Sequence, residues 1–343
     1  MEDNFDKYLG ALNEEMKQYK GIDVDTVFVG GGTPTVLNEK QLNRLIGDIK
    51  NNFTLSETCE FTFEANPGTL NVDKIKALKD GGVNRVSVGV QSFVDRELSA
   101  LGRIHNSNEA FNTVSMIHDM GITNINIDLM TSIPYQTGES LIKSLNMAFT
   151  LPITHISAYS LILEEGTPLF NEYENGVFSL PDDDTDREMF DTLKSKMKEH
   201  GFLRYEISNF SKPGYESRHN LKYWNCDEYI GIGLSAHSYF DKCRFSNTDN
   251  LGKYLNLEFR NGDIKTLTYD DMVSEFMMLG FRKTRGISEA EFKKRFGKDI
   301  NDIYGRELHK FIELSLIEYD SGYYRLTDRG LDISNSVICE FIL

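Results

Sequence analysis

Five short apolar runs in the first half of the chain each end in a residue type able to hold or position a ligand. Thr26–Val29 runs into Gly30-Gly31-Gly32-Thr33-Pro34, where backbone without side chains can approach a ligand closely and offer N–H and C=O groups. Glu64 closes the run Glu60-Phe61-Thr62-Phe63, and a carboxylate at the end of a buried strand needs a cationic partner from the protein or from a ligand. Gln91 follows Val88-Gly89-Val90, and Arg103, in Leu101-Gly102-Arg103, can clamp a carboxylate with two parallel hydrogen bonds. Asp128 puts a charge inside Ile125-Asn126-Ile127-Asp128-Leu129-Met130.

Taken singly, each has an ordinary reading. The glycines make a tight strand-to-helix turn, Arg103 forms a surface salt bridge, and Asp128 pairs with an arginine. Taken together, two acids, an amide, a guanidinium and bare backbone suit a zwitterionic amino acid joined to a ribose, the chemistry of S-adenosylmethionine. Farther along, His219-Asn220-Leu221-Lys222-Tyr223-Trp224 sets a metal-ligating imidazole beside two flat aromatic faces, one of them the only tryptophan. On the residues alone the better reading is that His219 and Asn220 end a loop while Tyr223 and Trp224 fill core, although a neutral imidazole can ligate a metal and flat rings can face a planar macrocycle.

The elements that position these groups follow from periodicity. The apolar runs, together with Val83–Val88 and His155–Tyr159, lie roughly 25 to 40 residues apart. Helical patterns intervene at 39–51, 71–81, 107–120 and 138–149, which is the rhythm of βα units, and ligand sites in such folds gather at the C-terminal ends of the strands. An amphipathic helix is predicted over 3–20 and another over about 184–199. Tyr229–Tyr239, carrying Gly231 and Gly233, reads as a glycine-bearing strand. Helices at 269–283, 288–296 and 301–314 and a hairpin turning at Asp320-Ser321-Gly322 suggest a small winged-helix-like module. The expected organisation is residues 1–180 as a partial barrel, 181–265 completing it and carrying the heme or substrate region, and 266–343 as the C-terminal module.

Composition bounds the partners. The 343 residues are 40% hydrophobic, enough for a sizeable core, and 37 basic against 53 acidic residues give a formal charge of −16. That balance argues against a nucleic-acid or anionic-membrane binder, and the helix before the hairpin mixes Glu307 and Glu313 with Arg306, His309 and Lys310, not a basic stripe. The start lacks a secretion signal and no run of 18 apolar residues occurs, so a cytoplasmic location is expected.

Gly30–Pro34, Glu64-Ala65-Asn66-Pro67-Gly68, Gly89–Phe93, Leu101-Gly102-Arg103 and Asp128-Leu129-Met130 resemble the coproporphyrinogen-oxidase-like radical S-adenosylmethionine proteins over nearly the whole chain. The resemblance implies an α/β fold, a partial (β/α) TIM-like barrel missing its first strand. It also implies that Gly31, Gly32, Thr33 and Glu64 meet the methionine amino group, Arg103 its carboxylate, Gln91 and Asp128 the ribose, and Met130 and Ile162 the adenine. Residues 219–224 look like the H-N-x-x-Y-W box of HemW-type heme chaperones. This implies that His219, Asn220, Tyr223 and Trp224 bind heme, with His219 on the iron, and that heme passes to hemoproteins, membrane respiratory ones included. The competing branch is oxygen-independent coproporphyrinogen III oxidation, which would make the chain an enzyme.

Members of this group hold a 4Fe-4S cluster on a C-x3-C-x2-C loop after the first strand. Cys59, Cys226, Cys243 and Cys339 are scattered and form no such loop. Met1 is therefore read as an internal start, with the cluster belonging to a longer form and no catalysis expected of this one. A sheet without its first strand has an exposed edge through which a homodimer could pair.

Overall fold

A computed structural model describes residues 2–343, with side chains from residue 4 onward. The chain forms two compact units: one of Lys20–Arg204 and Ser208–Glu216 with a few N-terminal residues, the other of Asp6–Tyr19, Tyr205–Ile207 and Ser217–Leu343. Helix α1 (Glu2–Met16) lies mostly in the second.

The first unit alternates strands and helices: β1 (Asp23–Val29), α2 (Glu39–Asn52), β2 (Thr54–Ala65), α3 (Val72–Asp80), β3 (Arg85–Gln91), α4 (Asp95–Ala100), α5 (Ser107–Asp119), β4 (Asn124–Thr131), α6 (Gly138–Phe149), β5 (His155–Ser160), α7 (Pro168–Glu174), α8 (Asp183–Glu199), β6 (Leu203–Arg204) and β7 (Asn209–Ser211). The first five strands are parallel and in sequence order; β7 and then β6 continue the sheet antiparallel, giving the curled α/β half-barrel that the strand rhythm implies. The helices start where local chemistry starts them. Asn38, Asn106 and Thr137 each accept a hydrogen bond from the third helical N–H while the residue there bonds back, satisfying otherwise orphaned donors.

Residues of the parallel strands β2 to β5 alternate over their central positions. Phe61 and Phe63, Val86, Val88 and Val90, Ile125, Ile127 and Leu129, and Ile156 are buried apolar residues. The positions between them are polar: Thr62 and Glu64, Arg85, Ser87 and Gln91, Asn126 and Asp128, His155, Ser157 and Tyr159. Successive side chains in a strand point to opposite faces, so one face of the sheet is an oily seat for helices and the other is polar. Register aligns the polar residues in rows: Glu64, Ser87, Asn126, His155 and Ser211 stand side by side across five strands, and Asp128, Ser157 and Asn209 form the next row.

In the second unit α9 (Arg218–Trp224) precedes a three-stranded antiparallel sheet of β8 (His237–Phe240), β9 (Cys243–Asn247) and β10 (Arg260–Thr266), with α10 (Leu251–Leu255) between the last two. The stretch expected as a glycine-bearing strand is instead a loop. Strand is found only at its end, where His237–Tyr239 belong to β8 and Tyr229 makes a single bridge to Tyr239; between them Gly233 (φ +113°) and Ser235 (φ +58°) take left-handed backbone, and a Cβ at Gly231 would lie 2.2 Å from the His237 carbonyl oxygen. Then come α11 (Tyr269–Gly280), α12 (Glu289–Phe296) and α13 (Ile300–Glu313) with strands β11 (Ile287–Ser288), β12 (Ile317–Asp320) and β13 (Tyr323–Leu326) in the order β11-β13-β12. Phe276, Phe281, Phe292, Tyr304, Leu308 and Phe341 centre its core. This matches the expected helices and hairpin and adds β11, too short to leave a periodic signal. Among the described residues no helix is long and apolar enough to cross a membrane.

Candidate functional site

In the first unit, the predicted cofactor residues lie on or just after five adjacent strands of the half-barrel, β1 to β5, except Arg103. Gly31 (φ +78°) and Gly32 (φ +123°) make the turn after β1, and the Gly31 N–H donates to Glu64 Oε2 at 3.3 Å. Gly30 completes a close fit, since a Cβ there would stand 2.6–2.9 Å from the Glu64 carboxyl group. The Asn66 side-chain amide donates to Thr33 Oγ1 at 2.7 Å, tying this turn to the end of β2. Gln91 ends β3 with φ +68°, a left-handed conformation that a non-glycine residue holds only when its surroundings impose it. Its side chain is buried and hydrogen-bonds Tyr159, yet Oε1 has no hydrogen-bond partner among the described residues. Arg103 is carried by the loop after α4, which is anchored by a hydrogen bond between buried His105 Nε2 and the Val90 carbonyl at 3.2 Å. Ile162, after β5, is 81% exposed, whereas Met130 lies within β4.

Electrostatics tie Glu64, Arg103, Asp128 and Tyr159 into one cluster. Burial raises the Glu64 pKa, the Asp128 charge raises it further, and the Gly31 N–H pulls it back. Asp128 is likewise raised by burial, opposed by hydrogen bonds from Asn126 and Ser157 and by the Arg85 and Arg103 charges. Tyr159 is pushed up to about 12, first by burial and then by Asp128. Two carboxyls with raised pKa values and a guanidinium therefore act on one another, with Gln91, which carries a buried, unpartnered amide oxygen, bonded to Tyr159 of the same cluster. These donors and acceptors fit an adenosyl amino acid: carboxylates for an ammonium and a ribose diol, a cation for a carboxylate, and a bare acceptor for a hydroxyl.

The pH dependence has a definite sign. In the folded protein, raised carboxyls take up protons more readily than in the unfolded chain, so the instability they cause at neutral pH fades as pH falls. Binding of a cationic amino group requires Glu64 ionised and runs the other way. We expect affinity for S-adenosylhomocysteine to fall as pH drops, beginning above the ordinary carboxylate range, and to become flat in Glu64→Gln. Titration calorimetry across pH checks this, and an unchanged wild-type affinity down to acid pH would remove Glu64 from the role.

The second unit places the H-N-x-x-Y-W box on α9, capped by Ser217 Oγ accepting the Asn220 N–H at 3.3 Å. One helical turn separates His219 from Tyr223, and Nε2 of the one lies 2.9 Å from the hydroxyl of the other. Burial, then the Tyr229 hydroxyl, pushes Tyr223 up to about 12, which keeps it a neutral hydrogen-bonding phenol. Tyr223 and Trp224 line a cavity of about 250 Å³ with Cys226, Tyr229, Tyr239 and Leu279. Arg282 stacks 4.3 Å from the Trp224 ring centroid, and the buried indole N–H finds no acceptor among the described residues. The lining thus takes in two of the four box residues; His219 and Asn220 lie outside it, His219 reaching it through Tyr223. That Cys226, Tyr229, Tyr239 and Leu279 line one cavity was not read from the sequence, because they converge on it from three separate segments: the connection after α9, β8 and α11.

Residues 5–148 match the model of the radical SAM superfamily and residues 267–333 that of the HemN C-terminal domain. The chain is 38% identical over 346 residues to heme chaperone HemW of Bacillus subtilis strain 168, covering 98% of this chain and 91% of that one. It is 35% identical over 340 residues to heme chaperone HemW of Lactococcus lactis, covering 98% and 90%. The chain belongs to the HemW heme chaperone family. Among solved structures, coproporphyrinogen III oxidase HemN from Escherichia coli superposes with a TM-score of 0.85 at 21% identity, over 98% of this chain and 83% of that one, a likeness of fold. The HemW family thus supplies the half-barrel class and the C-terminal module expected from the sequence.

Membership of the HemW family, with its radical SAM match, raises the question of a 4Fe-4S cluster. The cysteines present do not fit one: no disulfide links them, Cys59 is buried on β2, Cys226 carries a thiol pushed up to about 12 by burial, Cys243 lies on β9, and Cys339 is exposed near the C-terminus. No group of three metal-ligating side chains gathers among the described residues.

Proposed function

We propose that this protein carries heme and hands it to hemoproteins, and that its half-barrel holds S-adenosylmethionine. The observation that carries the heme reading is the aromatic cavity beside α9: flat faces from Tyr223 and Trp224 and a buried, unpartnered indole N–H stand next to an imidazole. A cavity of about 250 Å³ falls below the roughly 300–1,000 Å³ of enclosing small-molecule sites, so it suits the edge of a flat ligand and leaves the remainder open for transfer. Asn220, within the same helix, would line the approach. The names of the curated relatives support this reading over porphyrinogen oxidation, for which the resemblance is one of fold. Respiratory hemoproteins of the membrane are the proposed acceptors, and the cytoplasm the proposed location.

In the half-barrel, Glu64 and the Gly31–Thr33 backbone would hold the methionine ammonium, Arg103 its carboxylate, Gln91 and Asp128 the ribose, and Met130 and Ile162 the adenine. The bound cofactor would bring a sulfonium leaving group; the protein's own part is to orient it and to keep both ribose contacts out of bulk water. In our reading residues 1–180 form the partial barrel, 181–265 complete it and carry the heme box, and 266–343 form the C-terminal module, from which Leu279 joins the cavity lining.

Hemin titration tests the heme assignment. Wild-type protein should give a saturable Soret shift, and His219→Ala should weaken it by about tenfold or more, the loss of one iron ligand. A Soret band and affinity unchanged in His219→Ala would take the iron away from this residue. Transfer of the bound heme to apomyoglobin, followed by the acceptor's spectrum, checks the chaperone step.

A further inference from the structure

The polar face of the sheet holds one residue that the cofactor reading leaves unused and that touches nearly everything around Asp128. Asn126 is 2% exposed, and its side chain makes five hydrogen bonds. Oδ1 accepts from the Ser157 backbone N–H at 3.1 Å, from Ser157 Oγ at 3.2 Å and from His155 Nδ1 at 2.5 Å. Nδ2 donates to Ser87 Oγ at 2.7 Å and to Asp128 Oδ1 at 2.8 Å, using both of its hydrogens.

This arrangement has one solution. A backbone N–H can only donate, so the amide oxygen must face Ser157 and the nitrogen must face Asp128. His155 then has to carry its proton on Nδ1, the nitrogen facing that oxygen. It is fully buried, and burial with the Arg85 charge keeps it neutral, so it holds a single ring proton, which the contact with the Asn126 oxygen places on Nδ1. His155 and Ser157 on β5 therefore lock the Asn126 amide on β4, and the locked amide holds one oxygen of a carboxylate that is itself only partly buried. Ser157 also hydrogen-bonds the Asp128 carboxylate, and the acceptor capacity these two partners leave unused is available to a ligand.

We propose that Asn126, backed by His155, is the positioning residue that aims the Asp128 carboxylate at the ribose hydroxyls of a bound adenosyl ligand, an inference that rests on the cofactor reading above. Asn126 itself is too deep to touch the ligand; it acts through Asp128. The selectivity it confers is for the ribose diol, independent of the amino-acid end held by Glu64 and Arg103.

The test compares S-adenosylhomocysteine with its 2′,3′-dideoxy analogue by titration calorimetry on wild type and Asn126→Leu, with circular dichroism confirming the fold. Loss of a charge-assisted hydrogen bond should weaken S-adenosylhomocysteine by about tenfold to a hundredfold. The dideoxy analogue, with no diol to lose, should bind both proteins alike, and Asp128→Asn combined with Asn126→Leu should cost no more than either alone. Asn126→Ser, which leaves room for water beside His155 and Ser157, serves if leucine unfolds the strand. Equal weakening of both ligands, or none, overturns the positioning role. A wild type that binds neither ligand overturns the cofactor reading itself, and the inference with it.

Discussion

Glu15→Leu should lower the stability of the second unit by about 3–5 kcal/mol, the usual consequence of breaking one side of a buried charged network. Glu15, on α1, is fully buried and accepts from the Gly233 N–H at 2.9 Å, Asn247 Nδ2 at 2.6 Å and Tyr254 Oη at 2.6 Å, with Arg260 Nη1 at 3.9 Å. Leucine fills the space and satisfies none of these donors, three of which sit where water does not reach. The same helix offers Tyr8 Oη to the Leu234 N–H, so the glycine loop between Tyr229 and Tyr239 is held at two successive residues from a helix more than 200 positions away in sequence. Urea unfolding followed by the fluorescence of Trp224, the only tryptophan and a member of the same unit, reads the effect directly. An unchanged midpoint would mean that the network contributes no net stability. Glu15→Gln should fall between, because it keeps one acceptor but turns an NH₂ toward donors.

Arg85→Met should destabilise the first unit by up to about 3–5 kcal/mol, by removing one of the two guanidinium charges that offset the Asp128 carboxylate. Arg85 is 2% exposed, and its charge lowers the pKa of Asp128 and of His155 alike. Methionine matches the aliphatic stem, so packing is largely kept and the loss is electrostatic. The sign with pH follows: without Arg85 the Asp128 pKa rises further and His155 protonates more easily, so acid relieves the uncompensated charge. The stability gap between variant and wild type should therefore narrow as pH falls, measured by circular dichroism or by hydrogen exchange of β3 and β4 amides. A gap constant with pH would assign the loss to packing instead of charge.

The half-barrel was legible because its signal is local. Each parallel strand is a short run bounded by turn residues, and the capping asparagines and threonine mark helix starts within a residue or two. The proposed cofactor positions were picked out for the same reason, being the polar residues at or just past those runs. What lay hidden depends on pairing between distant segments. β6 and β7, two and three residues long, exist only because β5 offers an edge to pair with. The polar face of the sheet was visible in principle: Arg85, Ser87, Gly89 and Gln91 alternate with valines, as Asn124, Asn126 and Asp128 do with isoleucines. Reading those runs simply as apolar passed over Asn126 and Arg85. The loop around Gly233 reads as strand by composition, and its close approach to His237 is what prevents extension.

Gln91 shows how narrow a sequence can become at one point of a fold. Its backbone sits at φ +68°, a conformation that glycine reaches freely and asparagine tolerates. Its side chain has to be long enough to reach Tyr159 and leaves a buried amide oxygen without a partner among the described residues. Glycine would ease the backbone and lose the amide; asparagine would keep an amide one methylene too short; glutamate would keep the reach and add a third acid beside Glu64 and Asp128. Each neighbour in mutational space gives up something different, so drift at this position has no neutral path.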